Sequence, residues 1–354
     1  MNVWNNPELF KDFDFSEIDQ KVKYIDANRH ICEETIRELN RRIDIDYVRA
    51  SEVIENNLIT GIQDVDINDD LQVVYANAEH IQKLATDENS ILSFSTTSGL
   101  EDDEQSLLFI KKRPDGKFST YVQRVPKHLS ALNYSLKLAR HDKRKWQRGV
   151  GEVPLTREFI EQIHEELFSD YIFLNTRLSR IPDEPPIPPA GYGKFRETVL
   201  VNGRPHKYNC EVEGAGWHPS DSDDVVAHMQ ELIDNYNNSQ LHPILKAVIF
   251  KAQFVKIHPF RDGNGRTSRI LLNYMLVRYG IPTITIKGSQ RQQYFDAMNK
   301  AIVDDDYAEL IALVKQRLNR RCDKYISIID EYKAKNTTDN KEVADDEDEG
   351  EISL

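Results

Sequence analysis

No run of eighteen apolar residues occurs anywhere in the 354-residue chain, so no membrane-spanning helix is expected. The opening MNVWNNPELFKDFDF lacks a basic start followed by an apolar stretch, which argues against a secretory signal and makes a cytoplasmic address the expectation. Cysteine is scarce: Cys32, Cys210 and Cys322 are far apart and odd in number, a pattern that fits neither a disulfide framework nor a CxxC metal site and reads as isolated thiols. A basic excess is missing as well. The formal charge of -13 argues against nonspecific nucleic-acid binding, and neither nucleic acid nor a membrane is expected as a partner. No internal repeat is visible, which sets aside solenoids and propellers.

What is present is an ordinary balance of 39% hydrophobic and 30% charged residues, enough in a chain of this length to bury a full core. The acidity is uneven, because residues 339–351 hold eight carboxylates against one lysine. A segment that polar cannot bury a core, so residues 336–354 read as a disordered acidic tail.

The expected fold class is mainly α. Apolar residues at helical spacing from Glu17 to Arg42 (Ile18, Val22, Ile25, Ile36, Leu39) predict long amphipathic helices, and a short helix follows over about 47–57. Residues 60–126 form an insertion in which LLFIKK and KFSTYVQ flank Pro114, Asp115 and Gly116, a β-hairpin pattern. Helical periodicity resumes after residue 127, where the run KRKWQR reads as a solvated helix face. The proline-rich stretch over 182–191 reads as a stiff connector. It leads to a second hairpin whose turn holds Asn202 and Gly203. The predicted units are thus 1–59, 60–126, 127–335 and the tail 336–354.

The chemistry concentrates in residues 258–269, HPFRDGNGRTSR, which join two strongly apolar helices. Gly263 and Gly265 flank Asn264 and let successive N–H groups line one concavity suited to an anion. The loop then opens a helix, whose first N–H groups and positive dipole end favour phosphate at the same place. Arg266 and Arg269, three residues apart, fall on one helix face and suit phosphate oxygens. Asp262 supplies a hard oxygen, and magnesium prefers one or two carboxylates together with phosphate and water, so a Mg2+-nucleotide is implied. His258 is suited to take a hydroxyl proton near neutral pH. Phe260 is expected to anchor the loop in the core.

At these residues the chain resembles the Fic family, whose HxFx[D/E]GNGRxxR signature is matched at every fixed position. The resemblance implies a helical Fic core over 127–335 with a β-hairpin flap near 193–208. It implies a protein adenylyltransferase that moves AMP from ATP to a Ser, Thr or Tyr hydroxyl, with His258 as base and Asp262 as the Mg2+ ligand. Gly263, Asn264 and Gly265 would contact the α-phosphate, Arg266 and Arg269 the β- and γ-phosphates, and Tyr294 and Phe295 the adenine. The partner implied is a target protein paired along the flap, with self-modification and a homodimer as open relations. Gly265 and Arg266 set the chain apart from the Doc branch, which phosphorylates its target. Other nucleotide donors remain as an alternative enzyme reading, and a nucleotide-sensing module that catalyses nothing as a third.

Upstream, Ser51-Glu52-Val53-Ile54-Glu55-Asn56 fits the family's inhibitory pattern [S/T]xxxE[G/N]. By that resemblance a Glu55 carboxylate paired with Arg269 would occupy the group needed for the γ-phosphate, with Ser51 capping or bracing the helix. The same glutamate would alternatively orient water for removal of AMP.

Overall fold

The structure is a computed structural model and describes residues 3–54, 71–76, 106–112, 118–123, 125–168, 193–201, 204–208, 210–212 and 215–348. Helix α1 (Ser16–Asn28) and helix α2 (Glu33–Ile54) are joined by a 3-10 turn at Arg29–Cys32. Residues 47–54 are therefore the last turns of α2 and not a separate short helix. Neither glycine nor proline interrupts residues 33–54, and Ile36, Ile43, Tyr47 and Val48 extend one buried stripe, so nothing stops the helix earlier.

Strands β1 (Leu71–Ala76), β2 (Ser106–Lys112) and β3 (Phe118–Gln123) form an antiparallel sheet in that order, with Val74 opposite Leu108 and Leu108 opposite Val122. The expected hairpin is β2–β3; its turn residues 114–116 lie outside the described residues. Strand β1 corrects the reading of a lone hairpin. Val73, Val74 and Tyr75 are β-prone, and a third strand supplies the support that an isolated hairpin lacks.

Helices α3 (Val125–Gln147) and α4 (Arg157–Phe168) precede a small hairpin of β4 (Val199–Val201) and β5 (Arg204–His206), in which Val199 faces His206 and Val201 faces Arg204. Residues 202–203 at its tip and the proline-rich run 182–191 lie outside the described residues. Then come α5 (Val225–Asn238), α6 (Pro243–Ile257), α7 (Asn264–Val277), α8 (Arg291–Val303) and α9 (Ala308–Asp348).

Helices α6 and α7 form the centre. Pro243 starts α6 where a missing N–H costs nothing, and the His242 ring accepts the Ile244 N–H at 3.3 Å. Both helices are buried nearly all round, and such helices must be enclosed. Helices α3, α4, α5 and α8 do so. Helices α1 and α2 reach α9 through a second cluster that includes Ile25, Ile36, Ile43, Tyr325 and Ile329. Lys143 departs from the solvated-face reading of its run: it is buried and binds Asp26 of α1 at 2.6 and 2.8 Å. Helix α9 continues to Asp348, so residues 336–348 are helical where a disordered tail is expected. Extending a packed helix needs no new nucleus, and no glycine intervenes before Gly350. Among the described residues no helix is long and apolar enough to cross a membrane.

Candidate active site

Helix α6 ends at His258, whose φ of 56° and ψ of 59° are left-handed. For a residue with a Cβ this conformation costs about 1–2 kcal/mol, so surrounding bonds must hold it. Five residues later the chain enters α7 through Gly263, also left-handed at φ 74°. A side chain at 263 is excluded by space as well, because a Cβ there would lie 2.2 Å from the Phe168 ring.

The loop between is pinned from within. Asn264 donates from Nδ2 to the Phe260 carbonyl at 2.7 Å and accepts the Phe260 N–H on Oδ1 at 2.8 Å. Phe260 is fully buried, stacked on His164 with centroids 3.7 Å apart. The Asp262 carboxylate accepts the Gly263 N–H at 2.5 Å. The Asn264 side-chain amide is thereby committed to loop shape, and the main-chain N–H groups at the start of α7 are the ones that face an anion.

His258 is half-buried, beside Trp217 at 6.3 Å between centroids. Its Nδ1 is buried, which leaves Nε2 as the nitrogen to take a proton from a molecule in the site. Asp262 is the exposed member, with 69% of its side chain accessible and Arg266 3.4 Å away. Arg266 is buried, its guanidinium 4.9 Å from the Phe168 ring centroid. Gly265 follows in the first turn of α7. A buried cation and a helix N-terminus thus meet beside Asp262, which suits a polyanion. Tyr294 is a further correction. Its ring is in the core, 2% exposed, and its hydroxyl bonds Lys251 Nζ at 2.5 Å, so it forms wall rather than surface. Phe295 is half-buried beneath the Arg291 guanidinium at 4.7 Å.

Arg269 meets α2. Its Nε donates to Ser51 Oγ at 2.9 Å and its Nη2 to the Ser51 carbonyl at 3.0 Å, with both residues buried. Arg291 Nε donates to the Ile54 carbonyl at 2.9 Å. Ser51 therefore braces an arginine rather than capping a helix. Glu55, next after the last residue of α2, lies outside the described residues.

Two site-building residues escape sequence reasoning. Arg196, 3% exposed, donates from Nε to the His258 carbonyl at 2.7 Å and from Nη2 to the Ile257 carbonyl at 3.1 Å. Its Nη1 reaches the Tyr208 carbonyl at 3.1 Å, Nη2 also reaches the Ser220 carbonyl, and its main-chain N–H donates to Pro259 at 2.7 Å. His164 on α4 accepts the Gly193 N–H on Nδ1 at 3.1 Å. Its Nε2 must then carry the proton and donate to the Asp262 carbonyl at 2.9 Å.

Burial above all holds the His164 pKa down to about 3, and nearby Arg266 lowers it further, while the bond to the Asp262 carbonyl opposes both. The folded value lies below the unfolded value of 6.5, so the unfolded chain binds the extra proton and stability falls as pH drops through that window. The expected slope from this group is about 1.4 kcal/mol per pH unit. Thermal unfolding of wild type and His164→Asn between pH 7 and 4 checks it, with a shallower decline in the variant.

The sequence profile described as the Fic/DOC family matches residues 154–276. The protein adenylyltransferase Fic of Drosophila grimshawi is 30% identical over 143 residues, 40% of this chain and 27% of the relative. That of Drosophila willistoni is 34% identical over 143 residues, 40% of this chain and 26% of the relative. The match thus spans about a quarter of these curated relatives. The crystal structure of a Fic domain containing signaling protein from Bacteroides thetaiotaomicron shares the fold at TM-score 0.53 and 18% identity, over 89% of this chain and 96% of that one. The complete HPFRDGNGRTSR loop, folded between two buried helices, lies within residues 154–276, the part of this chain that is similar to the Fic/DOC family.

Proposed function

We propose that this chain is a protein adenylyltransferase that transfers AMP from ATP to a protein hydroxyl. The observation that carries the reading is the folded loop itself. A histidine held left-handed at the end of α6 faces a pinned turn that delivers a helix N-terminus and two buried arginines to one point. His258 Nε2 takes the proton of the acceptor hydroxyl, whose oxygen bonds the α-phosphorus as the bond to pyrophosphate breaks. The main-chain N–H groups of Asn264 and Gly265, beyond the turn at Gly263, bear the α-phosphate, and Arg266 and Arg269 bear the departing charge. Phe295 is assigned to the adenine side, with Tyr294 behind it.

Asp262 would hold Mg2+. Its carboxylate is exposed beside the helix N-terminus, and among the described residues no group of three or more metal-ligating side chains competes for the ion. One carboxylate suits a cation completed by phosphate oxygens and water, which would neutralise phosphate charge. The β4–β5 hairpin is the proposed docking edge for the target segment, through main-chain pairing. The experiment is intact-mass analysis of lysate proteins and of the chain itself after incubation with ATP and Mg2+. A mass gain of one AMP supports transfer, and a gain of one phosphate would contradict it.

The same reading makes α2 a switch. A guanidinium bonded by two nitrogens to Ser51 cannot offer its planar fork to a γ-phosphate, and a Glu55 carboxylate there would add negative charge against ATP. The units 1–59 and 127–335 are accordingly regulator and enzyme. Ser51→Ala removes the hydroxyl but keeps the carbonyl contact. It should raise AMP transfer by about threefold to tenfold, the worth of one ordinary hydrogen bond to a charged group being partly retained. Initial rates at saturating ATP check this.

A further inference from the structure

We propose that Arg196 is the positioning residue that registers His258 against the β4–β5 hairpin. This rests on the AMP-transfer reading only for its effect on turnover. Carbonyls from three separate stretches converge on one buried guanidinium: Ile257 and His258 at the end of α6, Tyr208 just beyond β5, and Ser220 on the way to α5. Arg196 itself stands three residues before β4, and its main-chain N–H continues the join to Pro259. Both stems of the hairpin are therefore tied to the backbone on either side of His258.

The physical need is specific. The last carbonyls of a helix have no partner within it, and here the chain leaves α6 by a left-handed turn at a residue that is not glycine. A planar guanidinium, with five donors in fixed directions, can serve carbonyls on several sides, whereas a lysine ammonium supplies three donors from a single point. All the hydrogen bonds described for Arg196 go to main-chain oxygens, so it sets where the base stands without touching substrate. The phosphate loop keeps its own internal pins, the Asn264–Phe260 pair and the Asp262–Gly263 bond. Loss of Arg196 should therefore misplace base relative to acceptor while leaving the nucleotide held.

The test places Arg196→Lys and Arg196→Gln in the Glu55→Gly background. Three quantities are read: affinity for a non-hydrolysable ATP analogue, the rate of label transfer from α-labelled ATP to lysate protein at saturating nucleotide, and amide hydrogen exchange. The expected result is unchanged nucleotide affinity, a rate lower by about 100-fold, the scale of an ångström misplacement, and faster exchange confined to residues 195–201 and 257–263 together. Lysine should restore little, because geometry and not charge is lost. A wild-type rate in Arg196→Lys, or faster exchange spread over the core with lost nucleotide affinity, would overturn the proposal. Should Arg196→Gln not fold, Arg196→Lys, which keeps a buried cation, carries the decision. If even the Glu55→Gly parent transfers no label, the AMP-transfer reading fails. Exchange then decides alone: a paired rise in the two segments upholds Arg196 as the link, and its absence refutes it.

Discussion

Replacing His258 with alanine should abolish AMP transfer, lowering the rate by a factor of about 10²–10⁴, the usual contribution of a positioned general base. The loss should fall on turnover, with nucleotide affinity unchanged, because the loop is pinned by Asn264, Phe260 and Gly263 and not by the imidazole. Fold stability should be little altered or slightly improved by glycine at the same position. His258 holds φ 56°, and glycine adopts that region without the steric cost of a Cβ. Comparing His258→Ala with His258→Gly separates chemistry from conformation: both should be inactive, both should bind a non-hydrolysable ATP analogue as wild type does, and the glycine variant should unfold at the higher temperature. Residual transfer near the wild-type rate in either variant would remove His258 from the base role.

Glu55→Gly should act in the opposite direction, raising AMP transfer by about 5- to 150-fold, the range of ordinary coupling free energies between two sites. Arg269 is already engaged by Ser51 through Nε and Nη2, and Arg291 engages the last carbonyl of α2 at Ile54. On the proposed switch, Glu55, next in the chain after Ile54, would add a full negative charge where the γ-phosphate must sit. Its removal would then weaken the hold of α2 on Arg269 and lift that repulsion together. The gain should therefore exceed that of Ser51→Ala, which leaves the charge in place. Incubating AMP-modified target with both proteins separates inhibition from AMP removal: hydrolysis by wild type and not by Glu55→Gly would assign Glu55 the second role too. Equal transfer rates in wild type and Glu55→Gly would exclude the switch.

The loop was legible because its parts are contiguous. Within residues 258–269 Gly263 and Gly265, a helix start, the Asp262 carboxylate, Arg266 and Arg269 lie close enough in sequence for spacing to define a phosphate cradle. Arg196 and His164 were not legible, since their partners lie 62 and 98 residues away and an isolated arginine or histidine carries no pattern. Arg269 and Ser51 are 218 residues apart, and their contact was not legible either: the family pattern pointed to Glu55 as the partner of Arg269 and to Ser51 as a cap or brace of its helix. Tyr294 shows the opposite failure. Its spacing with Ala297, Met298 and Ala301, all buried, marks the inward face of α8, and that periodicity should have outweighed the adenine role implied by resemblance. The short helix expected over about 47–57 is, over its described residues 47–54, the last part of α2, because the packed stripe from Ile36 through Val48 makes one long helix. β1 was missed because a six-residue strand among polar residues gives a weak local signal.

The most direct test of AMP transfer under the control of α2 compares ATP labelled at the α-phosphate with ATP labelled at the γ-phosphate, using Glu55→Gly and Glu55→Gly/His258→Ala with lysate protein as acceptor. The expected result is protein-bound label from the α position alone, present with Glu55→Gly, weaker with wild type and absent with the double variant. Label arriving from the γ position, or equal α-label with and without His258, would contradict it.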